Sequence, residues 1–266
     1  MSHEGAAVRL ARTLAASRGW QIDIEPETHF AARLTIGHRT HVVVGADLGL
    51  NAAAAARVAR DKLFVQRFLA RDGVQIVPTR RVEVVADVSD LPAVLKPNRS
   101  LGGQGVSLVR DAAEVPEAIE RARQHDDIVI AQPVIDLPEY RLLVVEGRVL
   151  FASRREAQPG AAAANLQQGG TWSDCTDDVH PDSARLARDL ASSLGLVVAG
   201  IDLFARDIGV FDREHAVLEV NATPGLKAVS TLPQRLARLT EAVGDAIERR
   251  LEASSSDAAT ITSSGS

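Results

Sequence analysis

The stretch VLEVNATPGL, from Val217 to Leu226, decides the fold, because it predicts a β-strand that ends in a Pro-Gly turn. Side chains alternate between the two faces of a strand, so Glu219 and Asn221 lie on one face and apolar residues lie on the other. A carboxylate beside a neutral amide oxygen offers the hard oxygen ligands that Mg²⁺ takes from proteins. The stretch therefore predicts a strand with metal ligands on one side and a core-facing surface on the other.

A further carboxylate lies in an apolar segment upstream. The run AGIDLFAR, Ala199–Arg206, predicts a strand in which Asp202 is the acidic residue. A carboxylate in a buried strand is costly unless it is paired or bound to a metal. We therefore predict that Asp202, Glu219 and Asn221 form a metal platform for a nucleotide. The alternative is that each of these residues only satisfies a strand end.

The composition narrows the classes of function. The chain has 266 residues, of which 45% are hydrophobic and 24% charged, as in ordinary globular proteins. Its formal net charge of −5 and its 3% aromatic content favour neither a nucleic-acid nor a membrane-surface partner. The single cysteine, Cys175, excludes an internal disulfide and indicates a reducing compartment. No apolar run reaches the roughly 18 residues of a membrane-spanning helix, and no signal-peptide core is present, so we expect a cytoplasmic protein.

The mixture of helices and hairpins predicts the α+β class with mainly antiparallel sheets. Residues 1–50 hold a short helix and a hairpin, and residues 51–252 form the main domain. Asn51 is the predicted N-cap of a long Ala-rich helix that stops near Gly73 and has Lys62 in its middle. From residue 253 to residue 266 the chain is rich in Ser, Thr, Ala and Gly, which predicts a disordered tail.

A glycine-rich loop lies between two predicted strands, where backbone N–H groups can approach phosphate oxygens closely. The residues that define it are Ser100, Gly102, Gly103 and Gly105. It differs from the Walker type, because no Gly-Lys-Ser/Thr follows and the next element is a strand. Lys96 ends the preceding strand and can act as a point charge on a phosphate. The alternative for the glycine-rich loop is a plain hairpin loop that binds no phosphate. Lys62, upstream of the loop, is another candidate cation, for which the alternative is an ordinary solvated lysine.

Arginines mark a predicted hairpin farther along the chain. Arg141 needs an anion if its side chain points inward. Arg154 and Arg155 are adjacent and face opposite ways, so at most one of them shares a site. Asn165 follows in a segment of small and polar residues, where it is either a site residue or a turn residue.

Taken together, these motifs resemble the ATP-grasp superfamily, over about residues 51–229. The motifs are especially similar to those of the ATP-grasp part of cyanophycin synthetases and of ribosomal-protein glutamate ligases. The motifs that carry the resemblance are, in order, Asp61-Lys62, VLKP (Val94–Pro97), SLGGQGV, IVIAQPVI (Ile128–Ile135), EYRLLVVEGRV (Glu139–Val149), ASRREA, NLQQGG (Asn165–Gly170), AGIDLF and LEVNATPGL.

The resemblance implies a role for each matching position. The implied contacts with ATP are Lys62 and Lys96 on the phosphates, Ser100, Gly102, Gly103 and Gly105 over them, Gln132, Pro133, Val134 and Ile135 along the adenine, and Glu139 on the ribose. The implied catalytic residues are Arg141 with Arg154 or Arg155. The implied ligands of Mg²⁺ or Mn²⁺ are Asp202, Glu219 and Asn221, with Asn165 near the same site.

The resemblance also implies a fold and a reaction. The fold is two α+β subdomains with mainly antiparallel sheets that grip the nucleotide, with a lid at about residues 80–133 and a shortened N-terminal region. The reaction is an ATP-dependent, ADP-forming ligation of a carboxylate to the amine of an amino acid or peptide through an acyl phosphate. The alternatives are a nucleotide-binding module without ligase activity and an ATP-grasp enzyme with a different phosphoryl outcome.

The chain departs from the family pattern in some places. Pro133 stands where relatives often carry Glu, which affects the hinge contacts. The segment before Asn51 is too short for the N-terminal domain of many relatives, so we expect part of the substrate site to be either absent or supplied by a second subunit. A homodimer is the family-level expectation. No Mur-ligase-like half follows Leu251, so we do not expect cyanophycin synthesis.

Overall fold

The computed structural model describes residues 4–157 and 169–263. Its helices are α1 (Ala6–Arg18), α2 (Ala53–Arg60), α3 (Lys62–Arg71), α4 (Val115–Arg123), α5 (Pro181–Ser193) and α6 (Pro233–Ser263). Its strands are β1 (Gln21–Ile24), β2 (Ala31–Ile36), β3 (Arg39–Val44), β4 (Arg80–Val82), β5 (Ala93–Pro97), β6 (Ser107–Val109), β7 (Val129–Pro133), β8 (Glu139–Val145), β9 (Arg148–Glu156), β10 (Thr171–Asp174), β11 (Val198–Phe204) and β12 (Ala216–Asn221).

The strands form three sheets. The N-terminal sheet has the order β1-β2-β3, the central sheet β10-β9-β8-β11-β12, and the third sheet, which we call the lid sheet, β4-β7-β5-β6. Every pairing between these strands is antiparallel. The predicted α+β class with mainly antiparallel sheets is therefore confirmed.

Strand β8 shows how the sequence divides the two faces of the central sheet. Its even-numbered residues Leu142 and Val144 pack in one core with helix α5. Leu143 and Val145, on the other face, pack in a second core with helices α1 and α6. On that second face the side chains are charged toward the start of the strand, where Arg141 takes the place of an apolar residue. The polar half of this face is left for a functional site.

The lid sheet has its own small core. Leu95 and Val129 from the sheet and Ile119 from α4 are buried together there. Because α4 covers only one face, the other face of the lid sheet is available to line a cleft. The lid predicted from the sequence at about residues 80–133 corresponds to the span from β4 to β7.

The long helix predicted from Asn51 to near Gly73 is interrupted. The chain leaves helical geometry at Asp61 (φ −84°, ψ 91°), which separates α2 from α3. The Asp61 carboxylate then caps α3 by accepting a hydrogen bond from the Phe64 N–H at 3.0 Å, as short polar side chains do at helix starts. Lys62 is consequently the first residue of α3 and not, as predicted, in the middle of a helix.

Asn51 does not cap α2. Its amide Nδ2 donates to the carbonyls of Val198 and Ala222, both at 2.8 Å. Its Oδ1 accepts from the N–H groups of Val197 and Val198 at 2.8 and 2.9 Å. The side chain thus mimics a peptide group between the start of β11 and the residue after β12, and it fastens the strands that carry Asp202 and Glu219.

Substitutions of Asn51 should therefore distinguish its bridging role between β11 and β12 from a role as a helix N-cap. Asn51→Ala leaves buried backbone groups without partners and is expected to cost about 3 kcal/mol, or roughly 6–12 °C in Tm. Asn51→Asp should be similarly damaging, because a carboxylate cannot donate to the two carbonyls. An N-cap would tolerate Asp well. Thermal unfolding of both variants checks this; an Asp variant as stable as the parent would contradict the bridging role.

Helix α6 continues to Ser263, across residues that the sequence analysis assigned to a disordered tail. The physical reason for this correction is that the chain has no Gly or Pro between Ala246 and Ser264 to end the helix. Among the described helices, none combines the length and the apolar composition needed to cross a membrane.

Candidate active site

A cleft of about 550 Å³ lies between the lid sheet and the central sheet. The lid side contributes Lys96 and Gln132, and the central sheet contributes Arg141, Asp202 and Glu219. Segments far apart in the chain therefore meet here.

Strand register places the charged residues on one face of the central sheet. Arg141 on β8 lies opposite Asp202 on β11, which lies opposite Glu219 on β12. Asn221, two residues beyond Glu219, shares its face and lines the same cleft. The predicted alternation along VLEVN holds for Glu219 and Asn221, which line the cleft, and for Val220, which is buried in the core. It is wrong for Leu218, which lines the cleft, while Val217 is the buried residue, because the pairing of β12 with β11 shifts register between Asp202 and Leu203.

The centre of the site is an ion pair between Arg141 and Asp202. Both carboxylate oxygens of Asp202 accept hydrogen bonds, from Nε and Nη2 of Arg141. Burial alone would raise the pKa of Asp202, but the guanidinium beside it holds that pKa below its usual value. Gly200, next to this pair, allows Pro224 to pack closely, because a Cβ at position 200 would lie only 2.9 Å from Pro224 Cβ.

Three of the four predicted metal ligands, Asp202, Glu219 and Asn221, are brought to one face, but they differ in availability. Glu219 lies 3.7 Å from Arg141 Nη2 and 3.9 Å from Lys62 Nζ, and its side chain is 25% exposed. Asn221 Oδ1 accepts from the Thr223 N–H at 2.9 Å and keeps a second lone pair. Asp202 is fully engaged by Arg141.

The donor chemistry fits Mg²⁺ or Mn²⁺, since carboxylate and amide oxygens are hard ligands and Mg²⁺ needs only one or two carboxylates. Within residues 4–157 and 169–263, no group of three or more His, Cys, Asp or Glu residues is arranged around a common metal position. A metal here would therefore rely first on Glu219 and Asn221. Asn165, the fourth predicted ligand, lies outside the described residues.

Of the adjacent arginines, Arg155 is the one that faces the cleft. Its Nη1 lies 3.4 Å from Glu139 Oε1 and 4.0 Å from Asp202 Oδ2. Arg154 points to the opposite face of β9, where it is half-exposed and 3.6 Å from Glu156. One of the two arginines therefore lines the cleft, as the period of a strand predicts. Arg155 Nε is buried without a hydrogen-bond partner among the described residues, so the guanidinium retains a donor for a ligand.

Glu139 is a buried carboxyl with an elevated pKa. Burial, and next the negative charge of Asp202, raise this pKa from 4.5 to about 7, although Arg155 and Arg141 oppose the shift. At neutral pH the group is therefore divided between its neutral and its charged form. A neutral carboxyl can donate a hydrogen bond as well as accept one.

This elevated pKa predicts a pH-dependent stability. Because the folded protein holds the proton more tightly than the unfolded chain, the free energy of unfolding falls as the pH rises from 4.5 to about 7. A shift of this size corresponds to about 3 kcal/mol. Glu139→Gln, which is neutral throughout, should therefore match the parent near pH 4.5 and exceed it in Tm at pH 8.

Thermal unfolding between pH 4.5 and pH 8 measures this difference. Glu156→Gln, an exposed carboxylate on β9, is the matched control and should show no such divergence. Parallel curves for Glu139→Gln and the parent would contradict the raised pKa.

Lys96 and Lys62 bring positive charge to the lid side of the cleft. Lys96 is the next-to-last residue of β5 and is 7% exposed. Burial, reinforced by the charge of Lys62, lowers the pKa of Lys96 to about 8, although the charge of Glu219 opposes this shift. Lys62 Nζ donates to the carbonyl of Ser100 at 3.0 Å, which attaches the start of α3 to the glycine-rich loop. Both predicted lysines therefore reach the site.

The glycine-rich loop covers the cleft only in part. Ser100, Gly102 and Gly103 line it, whereas Gly105 does not. Gly105 has a φ of +70°, and a Cβ there would lie 2.8 Å from Pro97. Its role is thus to turn the chain tightly against Pro97, and it does not contact the cleft.

The hinge between lid and central sheet supplies Gln132, Pro133, Val134 and Ile135 to the cleft wall. The sequence analysis missed the residue that orients Gln132. Thr79 Oγ1 donates to the Val77 carbonyl at 2.9 Å and accepts from Gln132 Nε2 at 2.7 Å. Because the Thr79 proton is already used, the Gln132 amide is fixed with Nε2 toward Thr79 and Oε1 as its acceptor for a ligand.

Two further cations at the cleft were also missed. Arg60 ends α2 and Lys227 follows the Pro-Gly turn, and both are exposed side chains that line the cleft. Exposed cations are common, so the sequence carries no strong signal for Arg60. Lys227, two residues after Gly225, could have been found from its proximity to the motif at Glu219.

An antiparallel central sheet and a smaller lid sheet that enclose a polar cleft define the ATP-grasp fold. A solved structure, the bifunctional glutathione synthetase from Pasteurella multocida, has the same fold with a TM-score of 0.62 at 15% identity, covering 90% of this chain and 44% of that one. A family model described as a RimK-like ATP-grasp domain matches residues 59–237. The chain therefore belongs to the RimK-like ATP-grasp family.

Two curated relatives carry the same name. A protein of Aeromonas salmonicida named "Probable alpha-L-glutamate ligase" is 33% identical over 192 residues, which cover 68% of this chain and 62% of the relative. A protein of the same name from Xanthomonas oryzae pv. oryzae is 35% identical over 193 residues, covering 67% and 62%. The chain thus spans less than two thirds of the length of these relatives.

Proposed function

We propose that the chain is an ATP-dependent, ADP-forming ligase that joins a carboxylate to the amine of an amino acid or peptide through an acyl phosphate. The observation that carries the proposal is the single cleft-facing surface on which Arg141, Arg155, Asp202, Glu219 and Asn221 meet, opposite Lys96. Phosphoryl transfer needs positioning and charge neutralisation more than a protein nucleophile, and this set supplies both. The family and the names of the relatives support the same reaction class.

The nucleotide would bind with its base against the hinge and its phosphates under the glycine-rich loop. Lys62 and Lys96 would neutralise phosphate oxygens, and backbone N–H groups of the loop would donate to them. Glu139 would accept hydrogen bonds from the ribose hydroxyls, and in its neutral form it could also donate one to them. Glu219 and Asn221 would hold Mg²⁺ or Mn²⁺, and Asp202 would join them once it is released from Arg141. The metal would supply charge neutralisation of the phosphates.

The chemistry proceeds in two steps. A carboxylate oxygen of the first substrate attacks the γ-phosphorus, the bond from that phosphorus to the bridging oxygen breaks, and ADP leaves. The amine nitrogen of the second substrate then attacks the acyl carbon, phosphate leaves, and the nitrogen loses a proton. Arg141 and Arg155 would hold the oxygens of the transferred group, where developing charge is largest. Closure of the lid would keep water from the acyl phosphate.

An ADP-release assay tests the proposal. L-Glutamate is the first carboxylate substrate to try, with amino acids and short peptides as amine acceptors. The proposal expects ADP release that requires both substrates, with equal amounts of amide and phosphate. Release of ADP without amide would favour a different phosphoryl outcome, and binding of Mg·ATP with no turnover for any pair would favour a binding module; each would overturn the ligase assignment.

The Thr79–Gln132 contact predicts a preference for adenine. With Gln132 Oε1 as acceptor, the amino group of adenine can donate to it, whereas guanine offers a carbonyl oxygen at that position. Thr79→Val frees the amide to rotate and is expected to reduce the preference for ATP over GTP about tenfold. Thr79→Ser keeps the hydroxyl and should therefore retain the preference for ATP over GTP.

Calorimetric titration with Mg·ATP, Mg·GTP and Mg·tripolyphosphate separates the contribution of the base to the binding affinity from that of the phosphates. The affinity for tripolyphosphate should be equal in all three proteins, which shows that the variants are folded. An unchanged ATP-to-GTP ratio in Thr79→Val would refute the orienting role of Thr79.

A further inference from the structure

A second depression adjoins the cleft and carries a different charge pattern. It is a groove of about 380 Å³ between the end of α2 and the glycine-rich loop. Its walls are formed by Arg57, Arg60, Arg99, Ser100, Leu101, Gln104 and His125. None of these wall residues is acidic, and Arg57 and Arg60 lie on neighbouring turns of the same helix.

The guanidinium groups of the groove have unused donors. Arg57 and Arg60 are exposed and have neither an ion-pair nor a hydrogen-bond partner among the described residues. Arg99 donates to Asp126 through Nε and Nη2, at 3.1 and 3.3 Å. A guanidinium carries five N–H donors, so Arg99 is held in place and still has donors to offer.

The groove is continuous with the cleft. Arg60, Ser100 and Leu101 line both. Lys62, which lies in the cleft and is absent from the groove wall, is tied to the Ser100 carbonyl. A ligand in the groove would therefore sit beside the predicted phosphate position without taking the contacts of Lys62 and Lys96.

We propose that the groove formed by Arg57, Arg60 and Arg99 is a second carboxylate-binding subsite, which holds an acidic side chain or terminal carboxylate of an extended substrate whose reacting end lies in the cleft. The inference rests on the proposed ligase function. Arginine forks match the planar, two-oxygen geometry of a carboxylate, and Ser100 and Gln104 add neutral donors. The subsite gives the enzyme a preference for acidic peptides over single amino acids.

Calorimetric titration of tri-L-glutamate, in the presence of a non-hydrolysable Mg·ATP analogue, tests the subsite. Arg57 lines the groove and not the cleft, so Arg57→Gln should weaken tri-glutamate binding about tenfold and leave the affinity for the nucleotide analogue unchanged. Arg57→Gln/Arg60→Gln should weaken peptide binding further. Arg67→Gln, which removes an exposed arginine of α3 outside the groove, is the matched control and should bind like the parent.

Two comparison ligands distinguish the source of the bound anion. Tri-L-glutamine should bind much more weakly than tri-L-glutamate, and inorganic phosphate should not compete with the peptide if the groove is built for carboxylates. Competition by phosphate at equal concentration would identify a general anion site and overturn the proposal. Equal tri-glutamate affinity in Arg57→Gln and the parent, an equal loss in Arg67→Gln, or no binding to the parent would also overturn it.

Failure of the subsite and failure of the ligase proposal give different results. If the ligase proposal is right and the subsite wrong, ADP release with glutamate persists while Arg57→Gln changes no peptide parameter. If the ligase proposal is wrong, tri-glutamate binds through Arg57 without any ADP release from Mg·ATP.

Discussion

Glu219→Gln is expected to lower Mg²⁺-dependent ATP turnover by about 100-fold or more, because the variant removes the charged oxygen most available to a metal in the cleft. Of the two acidic predicted ligands, Glu219 is the more exposed, at 25% against 3% for Asp202, and it lies at the register position opposite Asp202. The substitution preserves side-chain volume, so the fold should persist. The affinity for ATP in the absence of metal should change little by comparison.

The measurement is ADP release as a function of Mg²⁺ concentration, with Glu214→Gln as control. Glu214 precedes the same strand but is exposed and pairs with Arg206, away from the cleft. The control should behave like the parent. Full turnover of Glu219→Gln at the same Mg²⁺ concentration would show that the metal assignment on β12 is wrong.

Breaking the Arg141–Asp202 pair is expected to have the largest effect on stability. Arg141→Met leaves the Asp202 carboxylate buried without its main partner, and such a loss costs about 3–5 kcal/mol. For a domain of this size that corresponds to a Tm lower by roughly 6–20 °C. Asp202→Leu should cost a similar amount. Arg155, 4.0 Å from Asp202, is a weak substitute and places the expected cost of Arg141→Met at the lower end.

The double variant Arg141→Met/Asp202→Leu separates stability from function. Apolar residues of similar volume often replace a buried ion pair at little cost, so the double variant should recover most of the Tm lost in each single variant. It should nevertheless release no ADP. Additive losses in the double variant would contradict the pairing, and retained turnover would contradict the role of this pair in the site.

Local alternation made part of this site predictable. The face of β12 that carries Glu219 and Asn221, and the division between Arg154 and Arg155, follow from the period of a strand. The order of motifs predicted the fold class and the family. These are short-range or pattern-level properties, and the sequence contains them directly.

Long-range pairing could not be predicted in the same way. The sequence does not indicate that Arg141 binds Asp202, 61 residues away, or that Asn51 bridges β11 and β12 in preference to capping a helix. The break at Asp61 is a tertiary effect as well, since Asn98 Nδ2 donates to the Asp61 carboxylate at 2.8 Å. The hydrogen bond from Gln132 to Thr79 and the groove shared by Arg57 and Arg99 likewise join segments that only the folded chain brings together.

The most direct test of the ligase proposal is the fate of carboxylate oxygen during turnover. L-Glutamate or tri-L-glutamate labelled with ¹⁸O in its carboxylates is incubated with Mg·ATP and an amine acceptor, and the released phosphate is analysed by mass spectrometry. An acyl phosphate requires one ¹⁸O atom to pass from the substrate to each phosphate. Phosphate whose added oxygen comes from water would identify simple ATP hydrolysis and contradict the proposed function.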